Sequence, residues 1–91
     1  PAPTANQKAQ QVNRDNVMII STDPSGNLYL VDGQPVSLSM IKPMVKERAA
    51  ANDKLVVSVE PDRAAPYKAM IDILDELKLA GAKRISLKTK R

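Results

Sequence analysis

The 91-residue sequence contains no cysteine and no histidine. Their absence excludes thiolate nucleophiles, histidine-based catalytic triads and the thiol or imidazole ligands of zinc sites. Phenylalanine and tryptophan are also absent, and the aromatic side chains are Tyr29 and Tyr67 alone. The core must therefore be built from Val, Ile, Leu, Met and Ala, and the chain lacks the row of aromatic rings on which single-stranded nucleic acids stack.

Long apolar runs are missing as well. No stretch approaches the ~20 apolar residues that cross a bilayer, and no signal peptide is visible. The sequence begins with Pro-Ala-Pro rather than with Met, which predicts a processed product or an excised fragment. At this length, with 43% hydrophobic residues, we expect one globular domain with a modest core.

Positive charge is concentrated in the second half of the chain. The formal net charge is +4, and residues 54–91 hold nine Lys/Arg against five Asp/Glu, whereas residues 1–53 balance. The last nine residues, KRISLKTKR, carry five positive charges and no negative one. Such an end favours an anionic partner, namely nucleic acid, phospholipid or an acidic polymer, or it only keeps the protein soluble.

The chain divides into an arm and a domain. Residues 1–15 are polar and without apolar periodicity, so they predict a flexible linker ahead of a folded domain over residues 16–91. Residues 16–22 and 28–31 predict a β-hairpin around the turn Asp-Pro-Ser-Gly-Asn. A second turn follows over 32–35, after which Val36 begins a very short third strand at most.

Residues 37–52 predict the first helix, because apolar side chains recur there at helical spacing. Pro43 would disturb this helix unless Ser39, rather than Ser37, caps its N-terminus and leaves Pro43 near the first turn. The predicted buried stripe comprises Leu38, Ile41, Met44, Val45 and Ala49.

The last three elements alternate strand, helix and strand. Residues 55–60 form a nearly continuous apolar run, typical of an interior strand, and Pro66 is placed at the first position of a helix that a left-handed cap at Gly81 ends. Residues 84–89 alternate between apolar and basic side chains, which predicts a strand parallel to 55–60. The predicted buried stripe of this helix, centred on Leu74, comprises Tyr67, Met70, Ile71, Leu74 and Leu77.

The element order β-β-α-β-α-β predicts an α+β fold, a two-layer sandwich with two helices on one face of a small mixed sheet. So compact an arrangement leaves little room for a catalytic cleft, and we expect neither an enzyme nor a bound metal or cofactor. Asp72, Asp75 and Glu76 form the densest group of carboxylates, and their placement opposite the apolar stripe favours a solvated helix face.

Three places invite a functional interpretation. Asp62 and Arg63 follow the interior strand, where binding residues often lie, although Asp62 also suits helix stabilisation. Leu79 is an apolar side chain among charged ones on the second helix, so it either contacts a partner or is simply exposed. The final strand is expected at an exposed sheet edge, with Ser86 presenting its N–H outwards.

The segment LVVSVEPDRAAPYKAMIDILDELKLAGAKRISLKT resembles the C-terminal periplasmic region of the ExbD/TolR family, and the likeness extends over about residues 16–89. Pro43, Glu60-Pro61 and Leu79 depart from the family pattern. The matching positions are Asp62, Pro66, Tyr67, Ile73, Leu74, Asp75, Leu77, Ala80, Gly81, Lys83, Ile85 and Leu87.

The resemblance implies a periplasmic domain of a single-pass inner-membrane motor subunit driven by the proton-motive force. In the favoured ExbD-like role it forms a homodimer, passes energy to a TonB-like transducer for receptor-dependent uptake of nutrients such as siderophores, and joins an ExbB-like channel subunit through a transmembrane helix outside this sequence. The alternative is a TolR-like component of the Tol–Pal system that binds peptidoglycan and supports envelope integrity. A small basic nucleic-acid-binding domain is the remote alternative, and we expect no nucleic-acid partner. The expected partner or dimer residues are Arg84, Ile85, Ser86, Leu87, Lys88, Leu79, Asp62, Arg63 and Tyr67.

Overall fold

The computed structural model describes residues 16–88. The predicted linker, residues 1–15, and the predicted strand residue Thr89 lie outside the described residues. Seven elements follow one another along the described chain. They are β1 (Val17–Thr22), β2 (Tyr29–Val31), β3 (Gln34–Val36), α1 (Leu38–Ala51), β4 (Val56–Glu60), α2 (Tyr67–Ala80) and β5 (Ile85–Leu87).

The five strands form one mixed sheet in the order β3-β2-β1-β4-β5. β1, β2 and β3 are joined by antiparallel pairing, whereas β4 runs parallel to both β1 and β5. Buried side chains of one sheet face and of both helices belong to a single apolar cluster, so both helices cover the same face. The predicted α+β sandwich and its parallel final crossover are confirmed.

β3 is an addition to the predicted order. The turn between β2 and β3 has only two residues, Asp32 and Gly33, with φ angles of 51° and 87°. Val31 pairs with Gln34 beside this turn, so the next pair, Leu30 with Pro35, is the non-hydrogen-bonded kind. The missing N–H of Pro35 therefore faces away from β2 on an edge strand, where proline is tolerated.

α1 begins at Leu38, with Ser37 at the N-cap. The suggestion that Ser39 caps this helix is wrong, and Pro43 lies beyond the first turn. Its ring removes the N–H that would bond the carbonyl of Ser39. Because both residues are exposed, water can satisfy that carbonyl. Ile41 and Val45 of the predicted stripe are fully buried.

α2 is rotated relative to the prediction. Its buried residues are Ala69, Ile73 and Leu77, whereas Tyr67 is 71% exposed. The apolar arc of this helix is wider than the strip that the sheet and α1 can cover, so one side of the arc remains outside the core. Pro66 is the N-cap rather than the first helical residue, and the predicted left-handed cap at Gly81 is confirmed by its φ of 77°.

The turn between β1 and β2 packs against the start of α2. A Cβ built on Gly26 would lie 2.7 Å from Pro66 Cδ and 3.2 Å from Ala69 Cβ. The loop between β4 and α2 is joined to β1 as well, because the N–H of Asp62 donates to Thr22 Oγ1 over 3.1 Å. These contacts fix the N-terminal end of α2 above the sheet.

Candidate partner-binding surface

β5 forms one edge of the described sheet, and two hydrogen bonds show which of its backbone groups are free. The N–H of Val57 donates to the carbonyl of Arg84, and the N–H of Lys88 donates to the carbonyl of Val59, both over 2.9 Å. Since backbone groups of successive strand residues point to opposite sides, the groups of Ile85 and Leu87 point away from β4.

This alternation of backbone directions shows that the expected outward direction of the Ser86 N–H is wrong. Ser86 lies between Arg84 and Lys88 in the same register, so its N–H and carbonyl point towards β4. The outward N–H groups belong to Ile85 and Leu87. Strand pairing with another chain would therefore use the backbone of these two residues.

The side chains of β5 divide between the two sheet faces as the sequence predicts. Ile85 and Leu87 pair with Val57 and Val59 on the helix-covered face, yet they are 39% and 54% exposed. Ser86 pairs with Ser58 on the opposite face, which it shares with Arg84 and Lys88. The two basic residues lie at opposite ends of a short strand, so they do not form a compact cluster.

One flank of α2, half-buried except for the exposed Tyr67, lies on the side of this edge. Lys68 and Asp72, on the opposite flank of the helix, line a small concavity with Tyr29 of β2. The flank formed by Tyr67, Met70, Ile71 and Leu74 therefore lies on the side of β5. We call this flank together with the β5 edge, Ile85 and Leu87, the edge surface.

A concavity of about 300 Å³ adjoins the edge surface at the C-terminal end of β4. It is half open and could accept one large side chain of a partner. Tyr and Arg are over-represented among residues that contribute most to binding, and both are present here. The lining residues are Pro61, Asp62, Arg63, Ala65, Pro66, Tyr67 and Met70.

Asp62 and Arg63 differ in role. The Asp62 Oδ1 atom accepts the N–H of Ala64 over 2.9 Å, and the Asp62 carbonyl accepts that of Ala65. Asp62 thus shapes the loop, whereas Arg63 is exposed beside Tyr67 at the concavity. The structure brings Asp62, Arg63 and Tyr67 together at the concavity that adjoins the edge surface.

Leu79 does not join this set. It is 66% exposed and lies along the line of Lys68, Asp72 and Asp75 on the other flank of α2. Leu79 therefore lies apart from the edge surface. Its exposure agrees with the sequence, and its contact with a partner stays a prediction.

Two charged side chains of the described residues have pKa values shifted by local contacts. Lys68 Nζ lies 2.8 Å from Asp72 Oδ2, one helical turn away, and this hydrogen bond and charge raise the pKa of Lys68 above its usual 10.5. The hydroxyl of Ser25 and the N–H groups of Leu28, Asn27 and Gly26 stabilise the carboxylate of Asp23 and lower its pKa below 3.8. Over residues 16–88, no group of three potential metal-ligating residues is present.

Sequence reasoning missed two features. One is a pair of contacts through which Asp32 links β1 to α1. Asp32 Oδ1 accepts the N–H of Ile19 over 2.9 Å, and Asp32 Oδ2 lies 3.1 Å from Arg48 Nη1. The other is the flank of Met70, Ile71 and Leu74, which the helical pattern assigned wholly to the core. The sequence feature that could have revealed this flank is the width of the apolar arc, which exceeds the width that one helix buries against a sheet.

No helix over residues 16–88 combines the length and apolar character needed to cross a membrane.

Comparison with known proteins gives a consistent result. The whole chain, residues 1–91, matches a family model described as "Biopolymer transport protein ExbD/TolR". Two similar proteins from Helicobacter pylori, strains 26695 and J99, are each described as "Biopolymer transport protein ExbD" and are 27% identical over 84 residues. The aligned part covers 92% of this chain and 62% of each relative, so the chain spans less than two thirds of their length.

Proposed function

Because the chain belongs to the ExbD/TolR family, we propose that it is the periplasmic domain of an ExbD-type motor subunit in the inner membrane. It transmits energy derived from the proton-motive force to a TonB-like transducer, and thereby supports uptake of nutrients such as siderophores through outer-membrane receptors. It acts by protein contact rather than by catalysis. The proton-carrying transmembrane helix and the ExbB-like channel subunit belong to the complete assembly.

The observation that supports this role is the edge surface. Two outward N–H groups and two outward carbonyls at Ile85 and Leu87 offer main-chain hydrogen bonds to an added strand. The apolar flank of α2 lies directly above, where it can pack on side chains of the same strand. Main-chain bonds give such a contact its affinity and side-chain pockets give it specificity.

The surface constrains the chemistry of its partner. An extended segment paired with β5 directs alternate side chains towards the helix layer, where Tyr67, Met70 and Leu74 favour apolar residues. Its remaining side chains lie on the face that carries Arg84 and Lys88, which favours acidic residues. A second copy of the chain uses the same edge when β5 pairs with its equivalent in a two-fold dimer.

A pair of proline substitutions tests this proposal. Leu87→Pro removes an outward N–H and leaves the ladder to β4 intact, whereas Ser86→Pro removes an N–H that bonds β4. Leu87→Val is the control that shortens the side chain but keeps the N–H. We expect Leu87→Pro to fold, as seen by circular dichroism, and to weaken binding of a TonB-derived segment by tenfold or more, whereas Leu87→Val weakens it only slightly.

The binding would be measured by NMR titration, and self-association by analytical ultracentrifugation. A folded Leu87→Pro variant that dimerises and binds the segment like the parent would show that the edge is not the contact surface. The concavity at Arg63 and the exposed Leu79 would then be the next surfaces to test.

The family also contains TolR, and a TolR-type role is the second candidate. Titration with Tol-derived segments and co-sedimentation with isolated peptidoglycan separate the two roles. Preferential binding of Tol segments and of peptidoglycan would assign this chain to envelope integrity rather than to nutrient uptake.

A further inference from the structure

One end of the described domain is basic. β1, β4 and β5 are parallel, so their N-terminal ends lie together, and the C-terminal ends of both helices lie at the same end. Lys54, Lys83 and Arg84 are exposed there, in the segments that lead into β4 and β5, and Lys78 is exposed in the last turn of α2. We call these four residues the basic end.

Contacts join the two connecting segments that carry Lys54, Lys83 and Arg84. Arg84 Nη1 donates to the carbonyl of Asp53 over 2.6 Å, which joins the segment before β5 to that before β4. Lys83 and Asp53 line one small concavity between them. Asp53 and Asp32 are the carboxylates in the connecting segments of this end, and Asp32 is already paired with Arg48. Glu47 and Glu76 lie about one turn before the C-terminal ends of the two helices.

The opposite end has a different charge. Its carboxylates are Asp23, Glu60 and Asp62, against the cations Arg63 and Lys88, and Lys68 is paired with Asp72. The basic run at the end of the sequence is therefore divided by β5, with Lys83 and Arg84 at one end of the molecule and Lys88 at the other. Over residues 16–88 the ten Lys/Arg nearly balance the nine Asp/Glu, so the basic end is a local cluster of cations rather than the site of a large net charge.

Helix dipoles account for only part of this arrangement. Lys78 lies in the last turn of α2, where a cation is favoured by the partial negative charge of the helix C-terminus. Lys54, Lys83 and Arg84 follow the helix ends and lie in connecting segments. The dipole effect falls off within the last turn, so it does not explain the exposure of Lys54 and Lys83. Arg84 has a structural contact to Asp53, and together these cations suit an anionic surface.

The start of the domain lies at the same end. Asn52 Nδ2 donates to Asn16 Oδ1 over 2.6 Å, so the segment preceding β1 joins the domain beside the basic end. Under the proposed function, on which this step rests, that segment connects the domain to the membrane. The basic end is then on the side of the domain from which the chain leads towards the membrane.

We propose that the basic end binds anionic phospholipid headgroups at the membrane surface. A lipid surface fits better than a single-stranded nucleic acid, because no aromatic side chain accompanies the cations at this end. Each Lys or Arg near an anionic membrane strengthens binding about fivefold at moderate salt. With its strands pointing away from the membrane, a docked domain keeps the edge of β5 accessible to a partner.

Vesicle co-sedimentation of the chain tests the proposal. The vesicles contain equal parts of phosphatidylglycerol and phosphatidylcholine, and vesicles of phosphatidylcholine alone are the reference. The test variant carries Lys54→Gln, Lys78→Gln and Lys83→Gln, which spares the Arg84 contact to Asp53. The control variant carries Lys42→Gln, Lys46→Gln and Lys88→Gln, so it has the same net charge and retains the basic end.

We expect the parent chain to bind the anionic vesicles, to release them as salt is raised and to ignore the neutral ones. The test variant should bind more than tenfold less tightly than the parent, and the control variant should lose less than threefold. Absence of binding by the parent, or equal losses in the two variants, would overturn the proposal. Stronger binding to an oligonucleotide than to the vesicles at the same salt would also overturn it.

Failure of the lipid inference can be distinguished from failure of the proposed function. If the parent binds a TonB-derived segment but not anionic vesicles, only the lipid inference fails. If it binds the vesicles but neither TonB- nor Tol-derived segments, the partner assignment fails and the lipid surface stands on its own.

Discussion

At the scale of single residues, the burial of a helical side chain depends on which neighbouring elements cover that side of the helix. Ile73 is completely buried between the sheet and α1, whereas Leu74, one residue along, packs against the core from its margin. The helical pattern predicted the reverse, with Leu74 at the centre of the buried stripe. A spacing rule locates the apolar arc but cannot tell which part of it the neighbouring elements cover.

Truncation of these two residues should therefore have unequal effects. Ile73→Ala should lower the free energy of unfolding by about 2–5 kcal/mol, because it leaves a cavity in a fully buried site. Leu74→Ala should cost clearly less, since water reaches the vacated space. Urea denaturation followed by circular dichroism measures both, and a larger loss for Leu74→Ala would mean that the assigned orientation of α2 is wrong.

Asp23 provides a residue-level test in acid. Its carboxylate accepts the hydroxyl of Ser25 and the N–H groups of Asn27 and Leu28, which holds the pKa below 3.8. The folded pKa is depressed, so the stabilisation is present above the unfolded pKa and is lost as pH falls through the folded value.

The amide signals of Asn27 and Leu28 should accordingly shift with pH below 3.8 and stay constant above pH 5, roughly the upper limit of carboxylate titration. In Asp23→Asn, the same signals should lose this acid transition. A transition that persists in the variant would show that another group controls the turn.

At the scale of elements, most of the fold follows from sequence pattern, and the exceptions have a common cause. Strand and helix positions, the cap at Gly81 and the parallel crossover to β5 are local or topological consequences of composition and spacing. The direction of the Ser86 N–H depends on the register of β5 against β4, and the third strand depends on pairing across the Asp32-Gly33 turn. Neither is encoded in the residues of one element alone.

The packing of the first turn on α2 can be tested at Gly26, with Gly33 as the matched control. Both have positive φ, and alanine in such a conformation costs about 1–2 kcal/mol. Only Gly26 faces close neighbours, Pro66 and Ala69, whereas nothing lies within 4 Å of a Cβ at Gly33. Gly26→Ala should thus destabilise the protein more than Gly33→Ala in the same urea experiment, and equal losses would argue against the close packing of this turn on α2.

At the scale of the whole molecule, the domain presents two distinct surfaces. The edge surface runs along β5 and under the flank of α2, and it suits an extended protein segment. The basic end lies across the N-terminal ends of the parallel strands and suits an anionic membrane. The two surfaces share no residue. This arrangement fits the proposed function, in which the domain acts by binding.

The central claim is that Ile85 and Leu87 carry the unpaired backbone groups through which the partner binds. Residue-resolved hydrogen exchange, followed by NMR on dilute monomer with and without a saturating TonB-derived segment, tests it most directly. In the free chain, the N–H groups of Ile85 and Leu87 should exchange faster than those of Ser86 and Lys88, which are directed at β4. On binding, exchange of these two amides should slow down. If both still exchange rapidly when the chain is saturated with the segment, the result would contradict the account.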